Sequence, residues 1–235
     1  MINISKIFFA DLQILKFSNT VDYTLSACSL NIITRKPSNS IDEIKQIIFG
    51  SLLGDANLEL PPRGLNARFG FIQSNKYESY FLFVLDIFSP FCSSSYRSYS
   101  YLDKRTGKIY SSFRFWTKAL PLFTEFFEQF YVNGIKVVPA DLSLLTPLAL
   151  AHLIMQDGSF STSKGLYLCT DSFTPEDSIR LAHYINKKFD LKTTNPKAPG
   201  NKGSLRIYIS ATSMENLRAL VKPYMHSTML YKLGQ

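Results

Sequence analysis

One short pattern occurs twice in this chain. GSLLGDANLEL at residues 50–60 and HLIMQDGSF at 152–160 each run apolar residues into one aspartate followed by a small residue. Asp55 and Asp157 stand 102 positions apart in 235 residues. Repetition constrains a fold strongly, because each copy must form a similar unit and the copies must bury their apolar faces together. Before the first aspartate, Ser40 and Glu43 have capping-box spacing, and Ile44, Ile47, Ile48 and Leu52 follow a helical period. Before the second, Thr146 suits an N-cap, Pro147 suits the first helical position, and Leu148, Leu150, Leu153 and Ile154 continue an apolar surface. Both aspartates are therefore expected at the tail of a short apolar helix.

The echo continues downstream. ARFGFIQSNKYESYFLFVLDIF (67–88) predicts a strand and then a helix opened by Asn75 with Glu78. GLYLCTDSFTPEDSIRLAHYINKKF (165–189) predicts the same, with Thr174, Pro175 and Asp177 opening its helix. Basic, aromatic strand candidates follow at 111–120 and 204–213, and helices are expected over 122–136 and 214–232. The order helix, strands, helix, strands, helix thus runs twice. It predicts an α+β fold of two similar halves, 41–138 and 139–235, preceded by an N-terminal extension over 1–40. That extension is rich in Ser, Asn and Thr and poor in acids, a composition weakly like an organelle transit segment. It has no clear secretory apolar region or cleavage site, and a fused or irregular extension is an equal alternative.

Charge is unevenly spread. The net charge is +8, yet residues 91–120 hold six Lys/Arg against Asp103 alone, and 191–235 hold seven against Glu215 alone. Such clustering predicts a polyanionic partner. Cys28, Cys92 and Cys169 have no zinc spacing and suit a reducing compartment, and His152, His183 and His226 form no ligand pattern. No run reaches the roughly 18 apolar residues of a membrane span. No membrane partner is expected.

An acid at a helix C-terminus opposes the macrodipole, where Lys or Arg is usual. An Asp-Ala or Asp-Gly pair can simply turn the chain, but the duplicated position favours a chemical role. If the two helices pack side by side, with Gly50, Gly54, Ala149 and Ala151 allowing close approach, both carboxylates arrive at one end of the seam. Two acids and nearby carbonyl oxygens can hold Mg²⁺, and such an ion can activate water against a phosphodiester. Lys136 and Lys232 close the two halves in echoing places and could neutralise charge developing on phosphorus, or could be solvated lysines near helix ends. Arg97, Lys104, Arg105, Lys108, Arg114 and Lys118 alternate with Tyr and Phe around a DKRTGK turn, and Lys192, Lys197, Lys202 and Arg206 are the second-half counterpart. Strand alternation lets one face bury aromatics while the other meets phosphates or base edges in a major groove.

LAHLIMQDG at 150–158, with the looser copy IFGSLLGDA at 48–56 and the stretches TDSFTPED and KPYMHSTMLYKL, resembles the LAGLIDADG homing endonucleases of the monomeric, two-repeat, intron-encoded kind. The resemblance spans about 41–233. It implies tandem αββαββα repeats, with the motif helices at the interface and a saddle of antiparallel sheets over double-stranded DNA. It further implies that Asp55 and Asp157, with the carbonyls of Gly54 and Gln156, hold Mg²⁺ (or Mn²⁺). Lys136 and Lys232 would be active-site lysines, and the products would be double-strand breaks with short 3′ overhangs, promoting intron homing in an organelle, a mitochondrion before a chloroplast. Gln156 and His152 depart from the motif's usual small residues. A maturase that binds its host intron RNA is the alternative activity, since some members assist splicing. A non-catalytic DNA-binding regulator would leave the paired acids without a use.

Overall fold

The computed structural model describes residues 39–200 and 203–235. The expected extension, apart from Asn39 and Ser40, lies outside them, as do Cys28 and Lys202. Helix α1 (Ile41–Leu53) starts where the capping box predicts: Ser40 Oγ accepts from the Glu43 amide at 3.2 Å, and Glu43 Oε2 accepts from the Ser40 amide at 3.0 Å. Helix α4 (Pro147–Asp157) starts at Thr146, whose hydroxyl oxygen accepts from the Ala149 amide at 3.3 Å. These ends satisfy amides that a helix leaves orphaned.

The two helices pack against each other, and every residue from Ala149 to Gln156 is buried. Contact is main chain to main chain. A Cβ added at Gly50 would overlap the Ala149 carbonyl and lie 2.7 Å from its carbon, so only glycine allows this approach. A side-chain bond between Thr146 Oγ1 and Gln46 Oε1 at 2.6 Å joins the helices at their other end.

Each motif helix leads into a four-stranded antiparallel sheet. Strands β1 (Asn57–Glu59), β2 (Arg68–Ser74), β3 (Arg97–Asp103) and β4 (Lys108–Trp116) lie in the order β1-β2-β4-β3. A small hairpin, β5 (Tyr131–Val132) with β6 (Ile135–Lys136), closes this half. Strands β7 (Gly158–Phe160), β8 (Leu166–Leu168), β9 (Thr193–Thr194) and β10 (Ile207–Ile209) repeat the first order as β7-β8-β10-β9. Helices α2 (Glu78–Phe88) and α3 (Pro121–Phe130) serve the first sheet, and α5 (Pro175–Phe189) and α6 (Met214–Val221) the second. The described chain is thus αββαββα twice.

One face of each sheet is buried. Phe69, Phe71 and Phe115 meet Phe81 and Phe88 of α2 and Phe123 of α3, with Phe69 stacked on Phe88 at 4.3 Å between ring centroids. In the second half the equivalents are aliphatic: Leu166, Leu168, Ile207 and Ile209, in one apolar cluster with Leu181 and Ile185 of α5 and Leu217 of α6. That cluster also contains the seam, so both halves share a core.

Several expected elements differ in their bounds: the strands expected over 111–120 and 204–213 form over Lys108–Trp116 and Ile207–Ile209. The helix expected over 122–136 stops at Phe130, because Asn133 and Gly134 both take positive φ (51° and 77°) and form a tight hairpin turn. Lys136 consequently sits on a strand. The helix expected over 214–232 stops at Val221, since Pro223 cannot continue it, and Lys232 lies on a 3₁₀ turn over Ser227–Leu233. The helix expected to open at Asn75 starts as a 3₁₀ turn and becomes α-helical at Glu78. Among the described residues no helix is long and apolar enough to cross a membrane.

Gly50→Ala should force the helices apart. The expected cost is about 2–4 kcal/mol, lowering the thermal midpoint by roughly 4–16 °C. A calorimetric midpoint equal to wild type would show that the seam is not in main-chain contact there.

Candidate active site

The seam delivers two carboxylates to one place by different routes. Asp157 is the last residue of α4, whereas α1 stops at Leu53 and Asp55 follows the capping residue Gly54. After α1 the chain turns on one carbonyl: Ser51 O accepts from the Gly54 amide at 3.1 Å and the Ala56 amide at 3.0 Å. The Asp55 amide lies between them and donates instead to Gln156 Oε1 at 2.8 Å. Gln73, near the end of β2, donates from Nε2 to Asp55 Oδ2 at 3.1 Å.

Two lysines serve the helix ends. Lys136 Nζ donates to Gly54 O (3.0 Å) and Ala56 O (2.8 Å), and Lys232 Nζ donates to Gln156 O at 2.6 Å. Each ammonium therefore sits on main-chain carbonyls at or beside the negative end of its own motif helix. Lys232 is buried, at 9% exposure.

Charge in this pocket is strained in both signs. Burial raises the Asp55 carboxyl above its ordinary range, opposed by the Gln73 hydrogen bond and by Lys232 and Lys136, although the residue keeps a solvent-exposed edge. Asp157 is pushed up to about 7, first by burial and then by repulsion from Asp55, with both lysines pulling the other way. Burial lowers Lys136 to about 8 and also lowers Lys232, while the two aspartates oppose both shifts. Two acids and two cations thus feel one another in a desolvated site.

A hard divalent cation fits this donor set. The Asp55 and Asp157 carboxylates, with the Gly54 and Gln156 carbonyls, offer oxygen alone, and two repelling carboxylates gain most from a shared positive charge. Each carbonyl accepts from a lysine and has a second lone pair. Among the described residues no group of three or more His, Cys, Asp or Glu could hold a metal. A cation here would take the rest of its shell from carbonyls, water or phosphate, which suits Mg²⁺ better than zinc. His152 is a buried neutral ring, lowered to about 3 by burial, with its Nδ1 unpartnered and its ring stacked near Phe83 of α2. It is far from the acidity of a working proton carrier.

The first sheet's open face carries the basic residues in register. Arg97 pairs across from Arg114, Tyr99 from Ser112, Tyr101 from Tyr110 and Asp103 from Lys108. Alternation places all of these on the face opposite Phe113 and Phe115. Arg114 lies 5.7 Å from the Tyr99 ring and 5.9 Å from Trp116, and Arg68 lies 4.4 Å over Trp116 while bonded to Glu59. Lys104 and Arg105 occupy the exposed turn, and Lys118 is exposed just past β4. In the second half Lys192 and Lys197 are exposed. Arg206 differs. Its Nε and Nη2 hold both oxygens of Asp171, the shortest contact being 2.7 Å, so its charge is committed within the protein.

Sequence reading missed Gln73, Arg68 and Trp116. Gln73 left one signal, an amide ending the otherwise apolar run FGFI. Arg68 and Trp116 are 48 residues apart and become neighbours only through the β2–β4 pairing, with Trp116 lying over Gly70, where a Cβ would come within 2.5 Å of its ring.

Tandem αββαββα units, with an acid at the end of each central helix and two antiparallel sheets, define the fold class of the LAGLIDADG homing endonucleases. The sequence pattern of the LAGLIDADG DNA endonuclease family matches residues 45–217, and the chain belongs to that family. It is 34% identical to the cytochrome b mRNA maturase bI2 of Debaryomyces hansenii over 82% of this chain and 74% of that one. It is 29% identical to the DNA endonuclease I-ChuI of Chlamydomonas applanata over 81% and 94%. Its fold is similar to that of the homing endonuclease I-WcaI bound to its DNA recognition sequence, with a TM-score of 0.75 and 25% identity over 89% and 95%.

The raised Asp157 pKa predicts a stability trend. The folded state holds this proton more tightly than the unfolded chain, so this group's contribution to stability is fully present below about pH 4 and is lost as pH rises through about 7. In chelator, Asp157→Asn should match wild type near pH 4 and be more stable at pH 8 by about 2 kcal/mol, after allowance for the residue's partial exposure. Melting curves at the two pH values measure this, and a gap that does not widen with pH would overturn it.

Proposed function

We propose that the protein is a site-specific DNA endonuclease that makes a double-strand break at a long asymmetric target and so promotes intron homing. The observation that carries this reading is the convergence of Asp55, Asp157, Lys136 and Lys232 at the end of one helix seam, all four perturbed by burial and by one another. Family membership and the fold likeness to a DNA-bound homing endonuclease support it. In this reading 41–138 and 139–235 are two repeats of a monomer, one acting on each strand.

The Asp55 and Asp157 carboxylates and the Gly54 and Gln156 carbonyls would hold Mg²⁺, with Mn²⁺ as a substitute. When bound, such an ion would lower the pKa of water and stabilise the leaving oxygen. Lys136 and Lys232 hold positive charge beside the carboxylates and favour the ionised acids. Gln73 fixes the orientation of Asp55. The open face of the first sheet would lie on the duplex, with Arg97, Lys104, Arg105, Lys108, Arg114 and Lys118 towards phosphates and base edges. Lys192, Lys197 and Lys202 would serve the second half-site, while Arg206 would shape that surface through Asp171.

A second reading, a maturase that binds its host intron RNA, is favoured by the name of the Debaryomyces relative. The same name, tied to cytochrome b mRNA, supports a mitochondrial setting. Retention of both acids and both lysines favours cleavage.

The test is a plasmid carrying the uninterrupted host-gene junction, incubated with and without Mg²⁺. Asp55→Asn or Asp157→Asn should lower double-strand cleavage at least about 100-fold while leaving DNA affinity nearly unchanged. Wild-type cutting by either variant would remove the acids from the chemistry. Intron splicing accelerated by a protein that never cuts would select the maturase. Arg97→Ala should reduce the salt dependence of DNA binding by about one counterion. An unchanged slope would take that guanidinium off the interface.

A further inference from the structure

We infer that the Gln156 side chain is a positioning residue for the opposite half, a strut that holds the Asp55 main chain across the seam. The inference rests on the endonuclease reading and concerns how one of its two acids is held. Gln156 belongs to α4, yet every side-chain partner it has lies in the first half. Oε1 accepts from the Asp55 amide at 2.8 Å, and Nε2 donates to Ser51 Oγ at 3.1 Å and Tyr80 Oη at 3.2 Å. The residue is buried, and the amide's two donors and its carbonyl are all used.

The need for a strut follows from where the two helices stop. Asp157 is itself helical, so α4 fixes its backbone. Asp55 lies two residues past the end of α1, in a turn where the flanking Gly54 and Ala56 amides share Ser51 O. Its own amide has no main-chain acceptor there, and Gln156 supplies one. Without that acceptor the amide would lose its protein partner and the turn would be free to repack. Room for the strut comes from the residue that precedes the other aspartate. A Cβ on Gly54 would lie 2.7 Å from Gln156 Oε1 and 2.9 Å from Gln156 Cβ. Glycine before one aspartate and glutamine before the other are therefore a matched pair. Two copies of α4 facing each other would bring two glutamines into space that one glycine vacates.

Gln156→Met keeps length and volume and removes the three hydrogen bonds. Gln156→Glu keeps an acceptor for the Asp55 amide. In amide hydrogen exchange read by NMR, the Asp55 N–H should be protected in wild type, exchange at least about tenfold faster in Gln156→Met, and regain protection in Gln156→Glu. On end-labelled target duplex, Gln156→Met should slow cleavage about 10–100-fold with unchanged DNA affinity, the range found when groups orienting metal ligands are lost. Gln73→Met, which also acts through Asp55, should slow the same DNA strand. The double variant should be no slower than the slower single one, because both act on one group. Equal Asp55 exchange in wild type and Gln156→Met, opposite strands for the two variants, or additive slowing would each overturn the strut. A wild-type protein that cuts no target would overturn the endonuclease reading itself, and normal cutting by Gln156→Met would remove the strut alone.

Discussion

Main chain lies on main chain where Gly50 meets Ala149, and the rest of the molecule is arranged around that contact. Helices normally keep 8–10 Å between axes because side chains interdigitate, and small residues let them come closer. Here closeness brings two helix C-termini, with their partial negative charge, into the same small volume. Each then adds a carboxylate. Burial first, and then the like charge of Asp55, disfavour ionisation, which is why Asp157 reaches about 7. The arrangement costs stability, and in the endonuclease reading a cation held over a phosphodiester would have a use for that cost.

Lys136 and Lys232 keep this tolerable without a bound ion. Both are lowered by burial and both are held by carbonyls at the motif-helix ends. They counter the helix dipoles and the carboxylates at once, so the pocket is near neutral before any partner arrives. The two lysines reach equivalent carbonyls from different structures, a β-hairpin in one half and a 3₁₀ turn in the other. What the halves share is the charge placement, not the element that delivers it.

This explains what was legible in the sequence. The capping box at Ser40, Thr146 with Pro147, and the i, i+4 glycines of α1 are local signals with direct physical causes, and each motif helix follows them. The two candidate acids stand out in the sequence because repetition marks them. The ends of α3 and α6 were misread since apolar periodicity continued past Asn133-Gly134 and Pro223, where backbone geometry decides. Gln73, Arg68 and Trp116 were invisible because their roles arise from strand pairing, which no short stretch encodes. Arg206 shows the converse: it reads as a free cation in the sequence and is consumed by Asp171, 35 positions away.

The repeated plan is filled unequally. In the first half β4 has nine residues and spans roughly 30 Å, its partner β3 has seven, and aromatic rings fill the core beneath. In the second half β9 and β10 have two and three residues over an aliphatic core. Wide, ring-rich packing supports a long hairpin with Tyr99, Tyr101 and Arg97 projecting from its open face. Among the described residues, the short sheet has its Arg206 paired to Asp171. In the endonuclease reading, two half-sites met by such unlike surfaces would have no reason to share a sequence. In that reading the two unlike halves belong to one chain, so the long sheet would lie on one side of the target and the short sheet on the other.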